Sequence, residues 1–405
     1  MTSREGRRRL DLPGTDRSLN LRVLDVDALI DDPATQIVVC CGSGGVGKTT
    51  TAASLGVRAA EKGRHVAVLT IDPARRLAQS MGLTKLDNSP RPVTDIDTTA
   101  GGSLDAMMLD MKRTFDEVVE AHASPEKAAA ILSNPFYVSL SSSFAGTQEY
   151  MAMEKLGQLK AARNDDGTPR WDLIVVDTPP SRSALDFLDA PQRLGSFLDG
   201  RFVRVLTAPA RIGGRAYMKM ITAGVGIATS ALSKVLGAQL LTDLQALVAA
   251  LDTTFGGFRE RSEQTYALLK ARGTAFVIVA IPDPDSMREA GYFVERLSAE
   301  NMPLAGVVVN RVERSMVPLI GTGAAARALE QAVDSHGDDL DATVSLLRLQ
   351  ESIAGVADRH AQLVGGFAQR LGDVPLRIVP AEESDIHDLS GLRHMGALLS
   401  LDKDG

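Results

Sequence analysis

The sequence predicts an α/β fold: a mostly parallel sheet of about seven strands, with helices on both faces and a helical insertion. Three observations predict it. First, seven short apolar runs rich in β-branched residues, at 36–41, 65–71, 104–109, 173–176, 275–281, 304–309 and 376–379, alternate with helical stretches. Near-continuous apolar runs between helices are what a parallel sheet covered on both faces requires. Second, a glycine-rich segment directly follows the first run, and an amphipathic helix follows that segment. Third, residues 201–270 contain no convincing buried strand, which marks them as an insertion.

The glycine-rich segment is Gly42-Ser43-Gly44-Gly45-Val46-Gly47-Lys48-Thr49-Thr50. It fits G-x-x-x-x-G-K-[ST] in the strand–loop–helix context that a phosphate-binding loop requires. The helix spans 48–62, with Ala52, Leu55 and Ala59 on one face and Gly63 as its stop. Glycines let backbone N–H groups converge on a polyphosphate, and the helix N-terminus adds partial positive charge. Lys48 is the candidate for the β/γ-phosphate oxygens, and Thr49 for Mg²⁺. A glycine-rich turn with a chance lysine is the plainer alternative; the matching flanks weigh against it.

Two carboxylates follow strands. Asp72-Pro73 follows 65–71, and Asp177-Thr178-Pro179-Pro180 follows 173–176. A carboxylate so placed beside a phosphate loop can orient a metal-bound water or an attacking water. Asp177 is the candidate support for Mg²⁺, and Asp72 the candidate for positioning the nucleophilic water. The alternative for either is a helix cap, a role Asp favours. Asn310 follows 304–309 and is expected to end that strand, where it could hydrogen-bond a purine edge. Asn310-Arg311-Val312-Glu313 is only a loose echo of the guanine-reading Asn-Lys-x-Asp pattern, so adenine is favoured. Pro380 could pack on the base; the alternative is an ordinary strand-end proline.

Between these elements lie two helical regions. Residues 112–159 are largely helical, interrupted by Asn134-Pro135 and Ser141-Ser142-Ser143. Residues 201–270 carry Met218, Met220, Ile221, Val225, Ile227, Leu232, Val235, Leu236, Leu240 and Leu241. This apolar set suits a client- or membrane-binding face, or helices packed on the core or on a second subunit. Residues 164–170 read as an exposed turn. The expected organisation is a flexible N-terminal segment, 1–31, followed by one P-loop domain, 32–400, with helical parts at 112–159 and 201–270.

Composition narrows the function classes. Hydrophobic content of 44% supports a sizeable core, and only 4% aromatic residues leaves its packing to aliphatic side chains. A net charge of −7 argues against broad nucleic-acid binding. The basic run Arg7-Arg8-Arg9 reads as part of a tail or a small electrostatic contact. No apolar run follows it, and the segment 221–233, between Lys219 and Lys234, is too short to cross a bilayer. A soluble cytoplasmic protein is expected, with peripheral membrane contact left open. Cys40 and Cys41 are the only cysteines; strand neighbours point to opposite faces, so they should be buried thiols rather than a bridge. No C-x-x-C and no histidine spacing suggests a zinc site.

With its loop, Asp72-Pro73-Ala74, Asp177-Thr178-Pro179-Pro180 and Asn310 in this order, the chain resembles the arsenite-pump and tail-anchored-protein-targeting ATPases. These are dimeric P-loop ATPases with a deviant Walker A loop. The likeness is greatest to the bacterial anion-transporting branch common in actinobacteria, and it covers roughly 32–399. The resemblance implies an ATP–Mg²⁺ site near a dimer interface. It implies Lys48 and Thr49 on phosphate and Mg²⁺, Asp72 in switch I on the attacking water, Asp177 in switch II, and Asn310 and Pro380 around adenine. It implies that 112–159 and 201–270 respond to nucleotide state, as the helices forming a client groove do in the targeting members.

Three departures qualify the resemblance. The family's loop usually carries a signature lysine after the first glycine, reaching the partner subunit's phosphates; this chain has Ser43. Either a different subunit supplies the cation, giving a heterodimer, or Arg75 or Arg76 substitutes; the heterodimer is favoured. The cysteines of a metalloid site are missing, which argues against arsenite-stimulated activity. No C-x-x-C can join two subunits through zinc. The expected activity is ATP hydrolysis coupled to a partner's conformational change. The alternatives are an ATP-binding regulatory subunit with little turnover, and, less favoured, a P-loop kinase or GTPase.

Overall fold

The computed structural model of the chain describes residues 7–11, 18–71, 76–83, 86–134, 137–138, 147–179, 263–315 and 341–400. They form a two-stranded antiparallel hairpin, β1 (Arg7–Asp11) and β2 (Ser18–Arg22), and one eight-stranded sheet. The strands of the large sheet are β3 (Ile37–Cys41), β4 (His65–Thr70), β5 (Arg91–Pro92), β6 (Ser103–Met108), β7 (Leu173–Asp177), β8 (Thr274–Ala280), β9 (Leu304–Val312) and β10 (Leu376–Pro380). Their spatial order is β10-β9-β8-β3-β7-β4-β6-β5. The central pairs, from β10 through β3 to β4, are parallel, and the two-residue β5 lies antiparallel on β6 at the edge.

All seven apolar runs became strands, and β5 is an eighth that its two residues gave no pattern to reveal. β3, β7 and β8 are buried along their whole length. Strands covered on both faces need no polar alternation, which is why these read as continuous apolar runs. The N-terminal segment differs from the flexible arm expected for 1–31. It holds the hairpin and the short helix α1 (Val26–Asp31), and Leu24, Val26 and Ile30 are buried. The Leu24 N–H donates to the Leu376 carbonyl at 3.0 Å, so the packed body begins near Val23.

α2 (Lys48–Glu61) starts at the glycine-rich loop, and its carboxyl end turns at Gly63, φ +102°. The helix is buried nearly all round because it lies between the sheet and α9 (Leu389–Leu399). Small residues permit this approach: a Cβ on Gly56 would press on Val68, and one on Gly396 would already touch Arg58. The remaining described helices are α3 (Arg76–Ser80), α4 (Met111–His122), α5 (Pro125–Leu132), α6 (Thr147–Ala161), α7 (Pro284–Ala299) and α8 (Asp341–Leu371).

At the amino-terminal edge of the sheet, Arg64 uses all its guanidinium donors. Nε meets the Asp172 carboxylate at 2.6 Å, Nη1 meets the carbonyls of Ile30 and Asp32, and Nη2 meets those of Thr35 and Asp172. One planar fork thus ties the starts of β3, β4 and β7 together.

The chain divides into two compact units, one of Met1–Met107, Gly167–Ala184 and Leu269–Gly405, the other of Met108–Asp166 and Leu185–Leu268. The first carries the sheets. In the second, α4 packs on α5 and α6 through buried Phe115, Val118, Val119, Met151 and Leu156. Phe115 and Tyr137 meet edge to face at 6.4 Å. The Tyr137 hydroxyl donates to Asp116 at 2.8 Å, and Lys155 pairs with Glu117 at 2.9 Å. Ser141-Ser142-Ser143 and residues 201–262 of the expected insertion lie outside the described residues; 263–270 are helical.

Candidate functional site

The phosphate loop sits where β3 ends and α2 begins, at the carboxyl edge of the sheet. Its backbone could not be built from other residues. A Cβ on Gly42 would overlap the Val279 carbonyl of the neighbouring strand β8. Gly47 caps α2 with φ +99°, and a Cβ there would overlap the Asn310 amide. Lys48 is buried, and its ammonium donates to the Ser43 carbonyl at 2.7 Å, curling back over its own loop.

Sheet register assembles the carboxylate. Cys40 on β3 pairs with Asp177 on β7, and Asp177 pairs with Thr70 on β4. Asp177 is fully buried, and its Oδ2 accepts from Thr49 Oγ1 at 2.7 Å and from Thr70 Oγ1 at 2.9 Å. The next residue, Thr178, donates its hydroxyl to the Cys40 carbonyl at 2.9 Å, which fixes the turn out of β7. The Thr49 hydroxyl and the Asp177 carboxylate are hard oxygen donors beside a phosphate cradle, and this donor set fits Mg²⁺. Thr70 was not legible as part of the site, since a threonine at a strand end is ordinary.

The Ser43 hydroxyl lies 3.2 Å from the Ser286 hydroxyl on the first turn of α7. Ser286 Oγ also accepts from the Ile281 N–H, and Asp283 caps the helix through the N–H groups of Asp285 and Ser286.

Asn310 stands against the loop, but not at a strand end. β9 continues to Val312, two residues beyond Asn310. The Asn310 side chain is buried and donates to the Val46 carbonyl at 3.0 Å. The next residue, Arg311, donates from Nη1 to the Gly45 carbonyl at 3.2 Å. Pro380 is buried at the end of β10, one strand out, opposite Val312. Asp72, Pro73, Arg75 and Pro180 lie outside the described residues, as does the Arg76 side chain.

Cys40 and Cys41 are buried free thiols at the base of the loop. Burial pushes Cys40 well above the ordinary thiol range, reinforced by the Asp177 charge. Burial likewise raises Cys41 to about 12, against a smaller opposing pull from Lys48.

The chain is similar in sequence to known ATPases. The family profile described as anion-transporting ATPase matches residues 35–317, well over half the chain. An ATPase ASNA1 homolog of Cryptosporidium parvum is 26% identical over 271 residues, 67% of this chain and 63% of that protein. The chain thus spans just under two thirds of that relative. ATPase GET3 of Podospora anserina is 26% identical over 289 residues, 71% of this chain and 76% of that protein. ATPase GET3 of Candida glabrata is 26% identical over 297 residues, with 71% and 75% covered. The chain therefore belongs to the anion-transporting ATPase family and is an ATP hydrolase.

Proposed function

We propose that the chain binds MgATP at Gly42–Thr50 and couples its hydrolysis to closure of a dimer and a conformational change that acts on a partner. The observation that carries this reading is the Thr49–Asp177 hydrogen bond at the mouth of a glycine cradle, beside buried Lys48. In this reading Lys48 leaves the Ser43 carbonyl for the β/γ-phosphate oxygens. Thr49 and Asp177 hold Mg²⁺, Asp177 through water. Bound Mg²⁺ would neutralise charge on the β- and γ-phosphate oxygens. Asp72 orients the attacking water. Asn310 and Pro380 flank adenine. Because Asp177 also holds Thr70 on the neighbouring strand β4, loss of the γ-phosphate is felt where the chain leaves β4 toward Asp72.

The dimer is proposed as a heterodimer. The Ser43 hydroxyl is uncharged and directed to Ser286, so two identical subunits would lack the trans cation in both sites. An arginine finger in trans is worth about 10³–10⁵ in rate in related phosphoryl transfer. On sequence alone, 201–270 offers a client surface or helices packed on the core or on a second subunit, the latter favoured, and the organisation into one ATPase domain with helical parts at 112–159 and 201–270 belongs to the same proposal. The same Ser43 geometry favours a second reading, a regulatory subunit that binds ATP and turns it over slowly.

The test is ATP hydrolysis by the purified chain across a range of protein concentrations, with Lys48→Ala as control. Turnover that rises with concentration and vanishes in the control supports a self-sufficient homodimer and removes the heterodimer. ATP binding with negligible turnover supports the missing-subunit reading. Absence of ATP binding overturns the site assignment.

A further inference from the structure

β9 departs from a regular strand where it passes the phosphate loop. Val309 pairs with Ile378, and Val312 pairs with Pro380. Two residues, Asn310 and Arg311, therefore stand against one residue of β10, Val379, which is a β-bulge. Arg311 adopts φ +57°, a left-handed conformation that costs a side-chain-bearing residue about 1 kcal/mol. In a regular strand, consecutive side chains point to opposite faces. Here consecutive side chains reach consecutive carbonyls of one loop: Asn310 to Val46 and Arg311 to Gly45. Just beyond, the Glu313 N–H donates to His360 Nδ1 at 3.0 Å, which anchors the strand end to α8.

We propose that Asn310 and Arg311 are positioning residues that hold the phosphate loop in its polyphosphate-binding shape; this rests on the reading of Gly42–Thr50 as the ATP site. In a trans peptide the carbonyl and the following N–H point in opposite directions. Holding the Gly45 and Val46 carbonyls toward β9 turns the Val46 and Gly47 N–H groups to the other side of the loop. The bulge is what allows neighbouring residues to hold both. The surface pair between Arg311 and Asp385, at 4.0 Å and with both side chains more than half exposed, is too weak to account for the left-handed backbone. Asn310 acquires two tasks. One of its two amide N–H groups is engaged by Val46, leaving the other and the oxygen for a purine edge. Loop orientation and base occupancy then meet in one side chain.

The test uses Arg311→Gly, which removes the guanidinium while suiting the backbone, and Arg311→Lys, which restores a donor. Three quantities are read in the full chain: thermal midpoint, affinity for MgATP and for magnesium tripolyphosphate, and amide hydrogen exchange over 42–50 without ligand. The glycine variant should keep or raise the midpoint and speed exchange in the loop. It should weaken both ligands by one common factor, about three- to tenfold, the net worth of one ordinary solvent-exposed hydrogen bond. The lysine variant should recover part of the loss. Weakening of ATP alone would make Arg311 a base or ribose contact and overturn the proposal, as would unchanged exchange. Should the unaltered chain bind neither ligand, the ATP reading falls, and loop exchange by itself still decides whether Arg311 braces the loop.

Discussion

Asp177 shows how a single residue acquires its place. Its carboxylate is buried beyond reach of solvent, and two threonine hydroxyls from different elements make that position tolerable. The two cysteines beside it are the opposite case, buried groups kept out of chemistry. With both thiols pushed to high values by burial, almost no thiolate exists at pH 8. The native chain should therefore take up essentially no Ellman's reagent at pH 8, and two equivalents once unfolded in guanidinium. Rapid labelling of the folded chain would mean that the base of the loop opens to solvent. Ser43 is uncharged, and its contact with Ser286 ties the loop to α7.

At the scale of elements, the two edges of the sheet do different work. The amino-terminal edge is held by Arg64, which precedes β4 and whose donors reach the starts of β3 and β7. Arg64→Met keeps the stem but leaves several buried carbonyls and the Asp172 carboxylate unmet. A loss of about 2–4 kcal/mol in denaturant unfolding is expected. MgATP affinity should be unchanged, because the loop lies at the other edge. Comparable loss of affinity would refute this separation. At the carboxyl edge, His360 on α8 accepts the Glu313 N–H through Nδ1, so it is held neutral. Burial lowers its pKa below the usual 6.5, outweighing the pull of Glu313, and Arg359 adds to the lowering. The folded chain then binds fewer protons than the unfolded chain between the two values. This contribution is fully present above about pH 6.5 and is lost as pH falls through the folded value. Unfolding measured from pH 7.5 to 5 should show this slope, and His360→Gln should flatten it.

For the whole molecule, family membership supplies the ATPase, and the proposed heterodimer turns on one charge. Among the described residues no helix is long and apolar enough to cross a membrane. If a missing trans cation limits turnover, Ser43→Lys should raise the rate of the chain on its own by roughly tenfold or more, part of the about 10³–10⁵ that a well-placed trans cation gives. The rise should steepen with protein concentration. An unchanged rate with intact ATP binding would favour the regulatory reading.

The amino-acid sequence by itself determined the α/β class, seven of the eight strands of the large sheet, the strand–loop–helix at Gly42–Thr50, and the family. Each is written locally: buried parallel strands are unbroken apolar runs, and a phosphate loop needs its glycines and lysine at fixed spacing. Only the tertiary structure decided what holds that loop. Ser43 and Ser286 are 243 residues apart, and Asn310 and Val46 are 264 apart. It also decided that Thr70 shares the Asp177 carboxylate, that Arg64 staples three strand starts, and that β9 bulges instead of ending at Asn310. No local pattern carries these contacts. They follow from strand order and register, which bring distant segments side by side and let a bulge of one residue redirect two side chains.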